Sequence, residues 1–122
     1  MRRLIVLGAA LGIACGGGRS QMPVPATMND AVNQFLDAVQ SKDVARMGRL
    51  WGSARGPAAQ WMSESVLQMR MTVVQRYLAA PGYRIVEGPL PVPGRDERRL
   101  FQVELQRPRC PHVQPIEIVQ TR

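Results

Sequence analysis

Apolar residues recur every three to four positions from Met28 to Gln40, so that Val32, Phe35, Leu36 and Val39 share one helical face. Thr27 ahead of the run can accept a hydrogen bond from an orphan backbone N–H, and Asp30 places a carboxylate at the positive helix end. Ser41-Lys42-Asp43 then forms a short turn with a fresh cap. Val44, Met47, Leu50 and Trp51 follow at helical spacing until Gly52. A connection this short makes the two helices antiparallel neighbours. Residues Gly52 to Pro57 read as a loop. A third helical stretch starts near Pro57 or Ala58, is interrupted around Met62-Ser63, and runs from Glu64 to about Leu78. Its expected inner stripe is Val66, Met69, Val73 and Tyr77, and Pro81-Gly82 stops it.

The period then shortens to two. Tyr83 to Val86 reads as a strand, and Phe101, Val103 and Leu105 alternate with Gln102, Glu104 and Gln106 in a second strand with one wet face. Pro89, Pro91 and Pro93 make residues 88–95 too proline-rich for a ladder. Ile116 to Val119 reads as a third strand after a turn from Pro108 to Pro115. Helices followed by consecutive strands imply an α+β fold, with about three N-terminal helices packed on a small antiparallel sheet of three or four strands. The expected domain spans residues 27–122.

The first residues have a different character. Met1-Arg2-Arg3 is followed by an apolar, small-residued run from Leu4 to Ala14, then Cys15 and Gly16-Gly17-Gly18. A charged start, an apolar middle and a small-residue exit are the parts of a secretory signal. The run is well short of the roughly 20 apolar residues that span a bilayer. With Ala14 directly before Cys15, residues 1–18 resemble the bacterial lipoprotein signal. That resemblance implies removal of residues 1–14 and acylation of Cys15, which would anchor the protein to a membrane facing the periplasm or the exterior. Cleavage by an ordinary signal peptidase is the competing reading. Residues 16–26 are glycine-rich and then proline-spaced, a tether reaching roughly 35 Å at about 3.3 Å per residue.

Processing changes the charge. The whole chain has 16 basic and 9 acidic residues; losing Arg2 and Arg3 leaves 14 against 9, a net +5. One small domain is all the remaining length allows. If Cys15 carries lipid, Cys110 has no partner within the chain.

Phe35 to Val44, ahead of Leu50-Trp51, together with the element order, looks like the nuclear-transport-factor-two-like superfamily, also called SnoaL-like or cystatin-like cone folds. The resemblance covers about residues 28–107 and implies a cone of helices against a curved sheet. Such sheets close with four or more strands, whereas three are read here. Enzymes of that superfamily use an Asp or His inside the cone as a base.

Chemistry-bearing residues are sparse. His112, the single histidine, stands two places from Cys110, but a structural zinc site takes four ligands and no second pair exists, so no metal or other cofactor is expected. Asp37 neighbours the wet side of its helix, Asp43 fits a helix cap, and Glu104 should face outward. Trp51, Trp61 and Met69 are the candidate lining of a flexible apolar pocket, although core packing explains the same residues. Arginines gather at Arg46, Arg49 and Arg55, at Arg95, Arg98 and Arg99, and at Arg107 and Arg109. A solvated surface accounts for them, and so does a face for anionic lipid or polysaccharide. Nucleic-acid binding is disfavoured by export and by the lack of a recognised motif. Three readings stand at this stage: a non-catalytic binding domain for a protein partner or apolar ligand, a cone-type enzyme with an acidic base, and a binder of anionic surfaces.

Overall fold

The computed structural model describes residues 24–120; the leader, Cys15 and residues 15–23 of the tether lie outside the described residues. Three helices and two antiparallel sheets follow one another as an α+β fold. Helix α1 spans Met28–Gln40 and starts where Thr27 Oγ1 accepts the Asp30 N–H at 3.0 Å. Lys42, at φ 59°, turns the chain, and Asp43 Oδ1 caps α2 (Val44–Leu50) by accepting the Arg46 N–H at 3.1 Å.

Residues Gly52–Pro57, expected as a loop, instead form a small hairpin of β1 (Gly52–Ser53) and β2 (Gly56–Pro57), with Gly52 opposite Pro57. A single 3-10 turn at Ala58–Gln60 follows, separated from α3 (Glu64–Leu78) by Trp61-Met62-Ser63. Ser63 Oγ accepts the Val66 N–H at 3.4 Å.

The face of α3 differs from the sequence reading. Val66, Met69, Val73 and Tyr77 are exposed, and Leu67, Met71, Gln75 and Leu78 are buried. The helix carries two apolar stripes about one residue apart, both fitting the 3.6 period. The buried one contains a glutamine, so apolar content alone points to the wrong stripe.

The larger sheet has the order β3-β4-β5, from β3 (Tyr83–Val92), β4 (Arg95–Leu105) and β5 (His112–Val119), all antiparallel. Each strand is longer than its apolar alternation suggested. β3 continues through Pro89 and Pro91 because it is an edge strand and its register against β4 shifts three times. Gly88, at φ 125°, lets it pass close to β4: a Cβ there would stand 2.8 Å from the Leu100 carbonyl oxygen. β5 begins at His112, within the stretch expected as a turn.

Phe101, Val103 and Leu105 face inward from β4 onto Val32, Leu36 and Val39 of α1, Met47 of α2 and Met71 of α3, in one core cluster. Full burial of an aliphatic or aromatic side chain stabilises by roughly 1.5–3 kcal/mol. α2 packs on α3 at Gly48, where a Cβ would lie in contact with the Leu67 side chain at 3.4 Å.

Candidate functional site

The chain ahead of α1, the end of α2, the β1-β2 hairpin and β5 leave a hollow of about 740 Å³ between them. Its apolar lining includes Phe35, Leu50, Trp51, Ile116 and Ile118. Phe35 is placed by the inward stripe of α1, and its ring stacks at a tilt on Trp51, with centroids 5.8 Å apart. Ile116 and Ile118 are placed by the two-residue period of β5, opposite Phe101 and Arg99 of β4. The hairpin adds Gly52, Ser53, Gly56 and Pro57 to the lining. It needs Gly52 bare, because a Cβ there would fall 2.5 Å from the Gly56 carbonyl oxygen.

Charged groups rim this apolar patch. Arg49, Arg99, Asp96 and Glu117 also line the hollow. Arg99 is pinned to its own strand, donating from Nη1 to the carbonyls of Asp96 and Arg98 at 2.9 and 2.7 Å. Glu117 lies 3.7 Å from Arg98 Nη1, and Glu97 lies 3.6 Å from Arg98 Nε. Among the described residues, no carboxylate stands within ion-pairing distance of Arg49 or Arg99. No Asp or Glu among them is buried.

Of the expected pocket residues, Trp51 lines the hollow and is 38% exposed. Trp61 and Met69 do not line it; they stand 51% and 64% exposed elsewhere on the surface. Cys15 lies outside the described residues. Phe35, Ile116, Ile118 and the hairpin were missed as site residues. The isoleucines carry a readable signal, alternating with Glu117, but nothing local connects them to Trp51.

The other singled-out residues have structural work. Asp43 caps α2, and Glu104 faces the sheet's outer side, 3.4 Å from Arg84. Arg107 donates to the carbonyls of Tyr77 and Ala79, where α3 ends. His112 sits half-buried in β5, with Nε2 3.1 Å from Gln114 Oε1 and its ring edge-on to Tyr77. Cys110 is an exposed free thiol. Among the described residues, no cluster of histidine, cysteine and carboxylates could hold a metal.

Tyr83 joins β3 to α1. Its hydroxyl has Asn33 Oδ1 and Asp37 Oδ1 each at 2.9 Å, and its one proton can be donated to either. Partial burial, then the hydrogen bond to Asp37 and that carboxylate's charge, push the phenol up to about 12.

No protein-family profile, curated protein or solved structure matches this chain.

Proposed function

We propose that this chain is an exported cell-envelope protein, anchored by lipid on Cys15, whose α+β domain binds a partner protein or apolar ligand in the hollow without catalysing a reaction. The observation that carries the binding part is the hollow itself. An aromatic and branched aliphatic lining, open to water and rimmed by arginines without carboxylate partners, is the composition of a recognition site. Acid–base catalysis asks for a carboxyl held away from water so that its pKa moves toward neutrality. Asp96 and Glu117, the carboxylates at the hollow, are exposed, which supports binding over an acidic base. The address is supported by the pattern of residues 1–18, and the order of helices, hairpin and strands supports the likeness to an open cone fold.

Two measurements test this reading. Intact mass of the protein from the membrane fraction should show a chain starting at Cys15 and carrying acyl groups, and Cys15→Ala should lose them. A wild-type chain that keeps Met1 and stays in the cytosol overturns the address. The dye anilinonaphthalene sulfonate should bind the native chain and accept energy from Trp51. Binding that Trp51→Ala and Ile118→Glu leave unchanged overturns the hollow as the site.

A further inference from the structure

We propose that the free edge of β5, facing the hollow, takes up one extended acidic peptide of a partner protein as a fourth strand of the sheet. This rests on the binding reading above and names the class of partner.

The sheet has two outer edges, because β4 lies between β3 and β5. The β3 edge is defended. Pro89 and Pro91 offer no N–H, and the strand slips register three times. Prolines and bulges are devices that stop a further strand from adding. β5, by contrast, runs in unbroken register against β4 from His112 to Val119.

The direction of its free polar groups follows from one bond. Gln120 N–H donates to the Glu97 carbonyl at 2.8 Å, in step with that register. Residues 120, 118 and 116 therefore turn their backbone groups toward β4, and in an antiparallel ladder the alternate residues turn theirs away. Val113, Pro115, Glu117 and Val119 face the free edge. Pro115 thus costs no bond to β4, and Glu117 and Val119 hold out two N–H groups and two carbonyls.

The hollow lies alongside this edge. Its wall includes every residue from Ile116 to Gln120. Successive side chains point to opposite faces, so a cavity touching all of them runs beside the strand and not over one face. A five-residue strand, at about 3.3 Å per residue, about 4.8 Å between strands and about 10 Å through its side chains, occupies on the order of 800 Å³. The hollow offers about 740 Å³.

Charge selects the occupant. Arg49, Arg99, Asp96 and Glu117 line the hollow, and Arg55, Arg95, Arg98 and Glu97 stand close by in the chain, so five arginines meet three carboxylates and a net +2 remains, with Glu97 and Glu117 sharing Arg98. An incoming segment with acidic flanks and apolar residues at alternate positions meets both the arginines and the Phe35, Trp51 and Ile118 floor. A second copy, carrying the same net +5 once residues 1–14 are removed, is repelled.

The test uses the full chain and a short synthetic peptide of alternating valine and serine flanked by glutamates, with amide exchange read by NMR. Binding should slow exchange at Glu117 and Val119 at least about tenfold. N-methylating the peptide on its pairing edge should weaken binding about tenfold or more per lost bond, and so should lysine flanks. Val119→Pro, which removes no bond to β4, should weaken it likewise. Equal binding of the N-methylated peptide, or binding without protection of those amides, overturns the proposal. Protection before any peptide is added assigns the edge to this chain's own residues or a second copy, and also overturns it. Dye binding in the hollow without peptide binding overturns strand addition and leaves the binding reading standing; neither binding overturns both.

Discussion

Gln75 on α3 donates from Nε2 to the Val39 carbonyl near the end of α1, at 3.0 Å, and is the one buried polar residue among the described residues. The last carbonyls of a helix have no partner within it, so a buried amide there fixes how α3 docks on α1. Val39 also accepts the Lys42 N–H at 3.2 Å, so losing Gln75 does not strip the carbonyl entirely. Gln75→Leu should therefore lower stability by about 1–2 kcal/mol. Urea unfolding checks it: the midpoint falls while the slope stays the same. Unchanged or higher stability would mean that the bond contributes nothing net.

The buried stripe of α3 gives a paired prediction. Met71 is fully buried and Met69 is 64% exposed, two residues apart on one helix. Met71→Ala should cost about 2–5 kcal/mol through lost burial and a cavity. Met69→Ala should stay within about 0.5 kcal/mol. Thermal or urea unfolding of both proteins decides between the two stripes, and the reverse order would mean that α3 docks by its other face.

Tyr83 predicts a pH dependence. Its phenol ionises at about 12 in the folded chain, above its ordinary value of 10.0, so the folded state favours the protonated form. The stability this contributes is fully present below pH 10.0 and is lost as pH rises through about 12. Absorbance titration should show a tyrosine transition at about 12 that Tyr83→Phe removes. Asp37→Asn should lower it, because the carboxylate's charge is removed. A Tyr83 transition that Asp37→Asn leaves in place would contradict the Tyr83–Asp37 contact.

The hairpin that walls the hollow depends on Gly52. Gly52→Ala places a methyl 2.5 Å from the Gly56 carbonyl oxygen, on backbone that must shift. The expected cost is about 1–3 kcal/mol, with weaker dye binding in the hollow. Wild-type stability and binding together would show that the hairpin is free to open and does not shape the site.

The Asp43 cap offers a local check on α2. Asp43→Ala should remove the bond to the Arg46 N–H and cost about 1 kcal/mol. Asp43→Asn should restore most of it, as measured by unfolding midpoints. Equal losses in both variants would assign the effect to charge and not to the capping bond.

Much of the secondary structure was written locally. Thr27, Asp43 and Ser63 each accept a hydrogen bond within three residues of themselves, and the alternation of Phe101, Val103 and Leu105 marks one buried sheet face. Such signals depend on neighbours in the chain, so they survive reading one residue at a time. The length of β3 did not, because whether a proline is tolerated depends on which side of the strand carries a partner. The site was legible only in Trp51. Its other walls come from α1 and the chain ahead of it, from the hairpin and from β5, the last more than 60 positions further along, and Trp61 and Met69, equally apolar, ended on open surface.

From the chain alone came the α+β order, the caps of α1 and α2, the inward face of α1 and the charged-then-apolar opening that leads to Cys15, because each depends on short-range periodicity or on residue type. Packing decided which stripe of α3 is buried, which edge of the sheet stays open and what stands opposite Trp51. Those outcomes depend on bonds such as Gln75 to Val39 and Gln120 to Glu97, whose partners are distant in sequence and meet only once the helices and strands have docked.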